Sequence, residues 1–447
     1  MNRQTLSAAL VLLLARVAGA QPAPTEPAPA PADQAQPPTT PPAPVEATPP
    51  VEAPPPEVKP EEPKKDDKPA VTAKYDGGLK FESDDGQYEM KLSFRNQVRF
   101  ESNRSLDDET DTRHNQFLNN FYIVRARLQA EGYLFGKDNR YKVETGFGDS
   151  GSFSFLKDLY LEKRLPDSPI YVRMGQWKRP FNRAELVSDF ASTFNERSIE
   201  NELAGGGRSQ GIALHNDYEK SPEGLGWIFG VFNTFSGGND RPAISTACTS
   251  NAMTGVITCV NTRPSNFPTD FGPTLVARAD WNSAKIKGYS ESDLEGGPMR
   301  YSIGGSYKVD LANLNKQAKA SWGDNMSHGL ELDANIKAMG YSLTGGVVLM
   351  KIKDADADFG FYLQPAMMVI PKHAELALRF ALITVPGTNA AMEAIHRNQT
   401  ETRLAFNYYF HGHTWKFASD VGFLKLTGED NGDGGDFQLR AMLQMQI

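Results

Sequence analysis

Arginine side chains recur at alternating positions along several segments of this sequence, a spacing that could line a passage for anions. Rings of arginine replace the lost hydration of an anion with charge-assisted hydrogen bonds, and the planar guanidinium suits the geometry of phosphate. Carboxylates such as Glu131 and Glu401 lie on the same faces, so the alternative is that each arginine pairs across strands and stabilises a wall. The pore-lining candidates on these segments are Arg95, Arg125, Arg127, Arg379 and Arg440.

A second group of cations lies in a long connection, residues 179–208, which also carries Phe181, Phe190 and Phe194. Because so much apolar surface is unfavourable in water, we expect this connection to fold into an interior and narrow it. The alternative is an external flap packed on its neighbours. Acidic residues accompany the cations, so the charges of the connection do not by themselves indicate phosphate specificity. The candidates here are Arg179, Arg183, Arg197 and Arg208.

The segments that carry these cations alternate between apolar and polar residues. The last one, Phe437–Ile447, places apolar side chains on one face and polar side chains on the other, as an extended strand does. Its length suits the roughly 9 to 11 residues that a tilted strand needs to cross a bilayer. An earlier segment similarly sets Tyr122, Val124 and Leu128 against arginines. Lipid would then contact the apolar faces.

About sixteen such segments follow one another between residues 75 and 447, and their connections alternate between short and long, as in outer-membrane barrels. We therefore predict an all-β fold, a transmembrane antiparallel β-barrel of about 16 strands. Its last strand should pair with the first, around Tyr88–Phe100, because closure removes edges that lipid cannot satisfy. One link, Lys287–Pro298, is longer than a periplasmic turn should be.

Aromatic residues flank the short turns and are expected to form one girdle at a membrane interface, where amphipathic rings are favoured. The predicted girdle consists of Tyr133, Phe135, Tyr141, Trp227, Trp281, Tyr408, Phe410 and Trp415.

The N-terminal region has a different composition. Residues 1–20 have the charged start, apolar run and small-residue cleavage site of a signal peptide, so we expect the mature chain to be exported. Residues 21–74 are expected to form a disordered, Pro-rich linker, because 18 of the 30 prolines lie between Gln21 and Ala70. The linker could be a solvated tail or could contact the cell wall or a partner.

Several other functions are disfavoured by composition. The formal net charge of −8 and a pI of about 5.5 argue against nucleic-acid binding. The seven histidines are scattered without a nucleophile or a metal-ligand spacing, so no enzyme, cofactor or metal site is predicted. The run Asp430–Asp436 suits a turn better than a calcium loop, since the distal glutamate of an EF-hand is missing.

Two cysteines, Cys248 and Cys259, lie close together in one irregular segment. In an exported protein they could close a small loop as a disulfide, and the alternative is a pair of free thiols.

Several stretches of the sequence resemble the phosphate-selective porin O/P family of outer-membrane proteins. They include Met174–Phe181, Phe194–Ser198, Arg208–Ile212, Gly360–Gln364 and the closing Gln-rich strand. The resemblance implies a sixteen-stranded porin in the outer membrane, usually a homotrimer, with arginines on its wall and a third loop folded inward.

Together, the residues and the resemblance predict a diffusion porin for small hydrophilic solutes, with inorganic or organic anions such as phosphate and outer-membrane lipid as its partners. The alternative is a structural anchor, in which an occluded barrel tethers the Pro-rich arm to the cell wall or to a partner.

Overall fold

The computed structural model describes residues 71–105, 116–147, 156–204, 207–233, 245–250, 257–262, 273–311, 327–352, 356–388, 394–428 and 434–447. The predicted signal peptide, most of the predicted linker and the turn at residues 430–433 lie outside these residues. No helix in the described ranges is long and apolar enough to cross a membrane.

The described residues form twenty strands and three single-turn helices. The strands are β1 (Val71–Tyr75), β2 (Leu79–Ser83), β3 (Tyr88–Ser105), β4 (Leu118–Leu134), β5 (Asn139–Phe147), β6 (Leu156–Arg164), β7 (Tyr171–Lys178), β8 (Arg208–His215), β9 (Gly224–Asn233), β10 (Ser245–Ser250), β11 (Ile257–Thr262), β12 (Pro273–Asn282), β13 (Arg300–Asp310), β14 (Ser327–Ala338), β15 (Tyr341–Ile352), β16 (Asp358–Ile370), β17 (Ala374–Thr388), β18 (Ala394–His411), β19 (Trp415–Gly428) and β20 (Gly434–Gln446). The helices are α1 (Arg183–Leu186), α2 (Glu200–Leu203) and a 3-10 turn at Tyr218–Lys220.

Sixteen of these strands, β3 to β9 and β12 to β20, close into one antiparallel barrel, which confirms the predicted fold. The closing seam joins β20 to β3, as predicted, with Arg440 opposite Glu101. At its end the backbone groups of Phe94 and Ile447 exchange two hydrogen bonds of 2.8 Å. Strand β2 then continues the pairing along the remainder of β3, and β1 pairs with β2. We call this end of the barrel, which carries the start of β3 and the end of β20, the near end.

The strands alternate between an apolar outer face and a polar inner face. In β18, for example, Leu404 and Phe406 are exposed whereas Glu401, Arg403 and Asn407 are buried. Closure pairs the strand backbones with one another, so the outer face can be apolar without leaving backbone groups unsatisfied in lipid.

A β-bulge in β4 changes the predicted alternation there. Gln97 pairs with Arg125 but Val98 pairs with Ile123, so Val124 is an extra residue. As a result Ile123 is exposed and Val124 is buried, opposite to the simple alternation.

The aromatic residues of the predicted girdle lie on the outer face with one exception. Tyr408, Phe410 and Trp415 form a continuous cluster on the outer face, with ring centroids 5.0 and 5.4 Å apart. Tyr133 was assigned wrongly to this girdle: it is buried, and its hydroxyl donates to Glu82 of β2 at 3.3 Å. The direction of the Tyr133 side chain is set by strand alternation and not by proximity to a turn. Tyr133 lies an even number of positions after Arg127 and Gln129 in β4 and therefore shares their inner face.

Strands β10 and β11 form a separate hairpin in the connection between β9 and β12. This connection joins β9 to β12 at the end of the barrel opposite the near end, which we call the far end. The register of β10 and β11 places Cys248 directly opposite Cys259. The side chains of these two residues lie outside the described part of the structure, so the disulfide remains a prediction.

Candidate functional site

The connection between β7 and β8, described at residues 179–204 and 207, folds into the barrel, as its apolar content predicts. Asn182 caps α1 by accepting a hydrogen bond from the Glu185 amide at 3.1 Å. The connection contacts widely separated parts of the wall: Glu196 pairs with Arg99 of β3 at 2.6 Å, and the Asn195 amide donates to Asp420 of β19 at 3.1 Å. We call it the inner loop.

The long link between β12 and β13, residues 283–299, also enters the barrel, from the near end. This explains its unusual length. The Glu291 carboxylate accepts from the Thr193 amide of the inner loop at 2.6 Å and from Gln364 of β16 at 3.0 Å. Ser292 lies 2.7 Å from the Tyr409 hydroxyl of β18. We call this link the inner turn, and it meets the inner loop within the barrel.

Arg183 fastens the inner loop to the wall of β12 to β14. It is 0% exposed, and its guanidinium pairs with Asp333 and with Asp280, the latter at 3.1 Å. It also donates to the Gly288 carbonyl of the inner turn at 2.5 Å. Arg183 therefore holds three elements together, and it lines neither of the two cavities described below.

Arg197 and Arg125 surround Asp189 at the centre of the inner loop, at 2.6 and 3.4 Å respectively. Burial alone would raise the pKa of Asp189, but the guanidinium groups of Arg197, Arg125 and Arg127 hold it well below its usual range. Burial likewise opposes ionisation of Glu196, yet Arg125 and Arg99 lower its pKa to about 2.

A cavity of only about 10 Å³ lies at this point, lined by residues that include Arg125, Arg197 and Arg379. The Arg379 guanidinium lies 4.1 Å from the Phe194 ring centroid and donates to the Glu196 carbonyl at 2.9 Å. These three arginines are thus occupied in fixing the inner loop.

A larger cavity, of about 220 Å³, lies between the inner loop and the wall from β3 to β8. Its cationic lining residues are Arg95, Arg127, Lys142, Lys178 and Arg208. Three of these five were predicted from the sequence. Lys142 and Lys178 were missed. Lys142 could have been found from strand alternation, because it lies two positions before Glu144 on β5 and therefore on the same face.

Two wall carboxylates share most of these cations. Glu144 lies 3.7 Å from Arg95, 3.3 Å from Arg127 and 3.3 Å from Arg208. Asp158 lies 2.6 Å from Arg208 and 2.9 Å from Lys142. Asp189 and Glu219 complete the acidic lining, so five cations face four carboxylates and leave one net positive charge.

The other two predicted residues lie elsewhere. Arg440 of β20 is 3.6 Å from Glu101 and 3.9 Å from Asp420, close to the closing seam. Arg179 is buried at the start of the inner loop, where its amide donates to the Gly207 carbonyl at 2.9 Å and closes the loop base. The structure thus brings Arg95, Arg127 and Arg208 together at the larger cavity but places Arg179, Arg183 and Arg440 away from it.

Aromatic side chains of the larger cavity were not predicted as site residues. Tyr160, Trp177 and Tyr289 line it together with Leu186. Trp177 belongs to a buried apolar cluster against which the other three pack. Trp177 lies in the stretch Met174–Phe181 that carried the family resemblance, but nothing in the sequence indicated which way its ring would point.

Comparisons with known proteins agree with this architecture. Residues 90–294 match the model of the family "phosphate-selective porin O and P". The outer membrane channel DcaP of Acinetobacter baumannii is similar in structure, with 12% sequence identity and a TM-score of 0.51 over 80% of this chain and 97% of that chain.

Two further solved structures are similar at lower scores. The anion-selective porin from Comamonas acidovorans has 13% identity and a TM-score of 0.47 over 80% of this chain and 99% of that one. The trimer form of OmpT from Vibrio cholerae has 10% identity and a TM-score of 0.45 over 79% and 99%. No curated protein matches the chain. At these identities the structural matches show the fold alone.

Proposed function

We propose that this chain, whose residues 90–294 match the model of the phosphate-selective porin O and P family, is an outer-membrane diffusion channel for small hydrophilic solutes that prefers anions. Location in the outer membrane and action as a channel follow from the family and from the closed barrel. The preference for anions is the part that rests on the geometry of the lumen.

The observation that supports this preference is the uneven filling of the lumen. The inner turn and the inner loop pack against the wall of β12 to β19, through Arg183, Glu291 and Asn195. The inner loop also reaches β3, where Glu196 pairs with Arg99. The larger cavity lies on the opposite side, against β3 to β8. We therefore place the solute path along that side.

The path carries an excess of positive charge. Arg95 and Lys142 keep 18% and 21% of their side chains exposed, so they can exchange a wall carboxylate for a passing anion. Arg127 and Arg208 are more deeply buried and hold Glu144 between them. We assign Arg95, Arg127, Lys142 and Arg208 to the anion path, and Arg183 to fixing the inner loop.

Planar bilayer recording of the purified protein across a salt gradient tests the proposal. An anion channel gives a reversal potential of the corresponding sign, and replacing Arg95 and Lys142 by Gln moves it toward the cation side. A cation-selective wild-type protein contradicts the anion preference. A complete lack of conductance contradicts the channel itself and agrees with the anchor alternative.

A homotrimer, which the family resemblance implies, is a further part of the proposal. Light scattering of the detergent-solubilised protein, corrected for bound detergent, should give three copies per particle. Contact of the Pro-rich arm with the cell wall stays a prediction. Co-sedimentation with purified cell wall, compared between the full chain and a chain lacking residues 21–70, tests it.

A further inference from the structure

Hydrogen-bond donors at the larger cavity lack acceptors. Trp177 is 2% exposed, and its indole Nε1 has no hydrogen-bond partner among the described residues. The same holds for the Nε atoms of Arg95 and Arg127. Buried donors are almost always satisfied in folded proteins, so these three N–H groups are available to an acceptor from outside the chain.

The charge of the cavity limits the charge of that acceptor. Glu144 and Asp158 are each shared by at least two cations, and the whole lining leaves one net positive charge. A monoanion balances this charge, whereas a doubly charged ligand would leave an excess of negative charge in a confined space.

Apart from Ser188, the remaining lining consists of aromatic side chains and Leu186. Tyr160, Trp177 and Leu186 belong to or pack against one buried apolar cluster. An inorganic anion has no surface that could use these contacts, because burial is favourable only for apolar area. A space of about 150 Å³ is enough for benzene in other proteins, so about 220 Å³ accommodates a ring together with an acid group.

From this combination, and building on the proposed channel function, we infer that the larger cavity binds a small organic monoanion, a carboxylate borne on an aromatic or similarly apolar group. The carboxylate accepts hydrogen bonds from Arg95, Arg127 and the Trp177 indole N–H, and the apolar part lies against the Trp177 ring and Leu186. The site would slow such solutes in the channel relative to small inorganic ions.

Block of the chloride current tests the site. Benzoate, acetate and inorganic phosphate are added separately to wild-type channels in potassium chloride. Benzoate should reach half-block at a concentration on the order of tenfold below that of acetate, as one aromatic contact allows, and below that of phosphate. Equal block by acetate, or stronger block by phosphate, would overturn the inference.

Two variants of Trp177 separate the ring from the N–H group. Trp177→Leu should raise the half-blocking concentration of benzoate more than that of acetate, because acetate loses only the contact with the indole N–H. Trp177→Phe should give an intermediate value for benzoate. Trp281→Phe, on the exposed outer face, is the matched control and should change nothing. If Trp177→Leu fails to fold, the Trp177→Phe variant carries the comparison. Benzoate block that neither variant alters contradicts the proposed contact.

Calorimetry distinguishes failure of the proposed channel function from failure of the proposed binding site. Titration of benzoate into the detergent-solubilised protein detects binding whether or not the protein conducts. Binding without conductance would leave the site in place and reject the channel. Conductance without benzoate binding would reject the site alone, and water would then satisfy the three donors.

Discussion

The backbone amide of Thr193 donates a hydrogen bond of 2.6 Å to the carboxylate of Glu291 in the interior of the barrel. Thr193 belongs to the inner loop, which enters from the far end, and Glu291 to the inner turn, which enters from the near end. The hydroxyl of Thr193 also contacts the inner turn, since Thr193 Oγ1 lies 3.2 Å from the Oγ of Ser292, the residue after Glu291. The constriction is therefore built from both ends of the barrel and held at this contact.

Removing the Glu291 carboxylate should loosen the constriction. In Glu291→Ala the Thr193 amide and the Gln364 side chain both lose their acceptor. We expect a larger single-channel conductance with more frequent fluctuations, measured in planar bilayers. Glu291→Gln keeps an acceptor oxygen of the same shape and should remain close to the wild type. Identical traces for Glu291→Ala and the wild type would show that this contact does not hold the constriction.

Removing Arg183 should destabilise the protein more than removing another arginine of the inner loop. Arg183→Met leaves Asp280 and Asp333 buried with fewer partners, and breaking a buried ion pair typically lowers the free energy of unfolding by about 3 to 5 kcal/mol. Arg197→Met is the matched control, because Arg197 keeps 22% of its side chain exposed.

Urea denaturation in detergent, followed by circular dichroism, measures the loss of unfolding free energy in Arg183→Met and in Arg197→Met. Equal free energies of unfolding for the two variants would contradict the anchoring role of Arg183.

The inner loop should be held less firmly as the pH rises from about 5 to 8. Glu200 of α2 is fully buried, and this burial raises its pKa from 4.5 to about 7, with Asp333 adding to the rise and Asn182, Ser198 and Arg379 opposing it. Because the folded-state pKa is the higher one, this stabilisation is complete below about pH 4.5 and is lost as the pH rises through 7.

The opposite sign applies to Glu196 of the same loop. Its folded-state pKa of about 2 means that its contribution is present above pH 4.5 and is lost only as the pH falls through 2. Of these two glutamates, only Glu200 changes its contribution between pH 5 and 8. Current noise should increase over this interval in the wild type and in Glu202→Gln, whose side chain is exposed on the same helix, but should stay constant in Glu200→Gln.

The two cysteines should form a disulfide. Cys248 and Cys259 occupy directly opposed positions of the β10–β11 hairpin, and opposed Cβ atoms lie about 4.5 to 5.5 Å apart in such pairs. The denatured protein should show no free thiol toward a thiol reagent before reduction and two thiols after it. Two reactive thiols without reduction would contradict the pairing.

The alternation of residue types was sufficient to predict the barrel. Membrane strands must satisfy every backbone group by pairing and must place apolar side chains outward, so a period of two in Phe437–Ile447 determined both its faces and its role as the closing strand. The same rule found Arg95 and Arg127, because it depends only on local spacing, whereas Arg208 was predicted from the cationic connection between two strands. The alternation rule failed at Val124, where a bulge shifted the register of one strand.

Which partner each inward side chain would meet was decided only by the tertiary structure. Arg183 and Asp333 are 150 residues apart in the chain, and the Thr193 amide reaches Glu291 across 98 residues. Spacing along a strand determines the face of a side chain but not what lies across the lumen from it. Arg183 is therefore buried in an anchoring network while Arg208 borders the cavity, although both belong to the same cationic connection in the sequence.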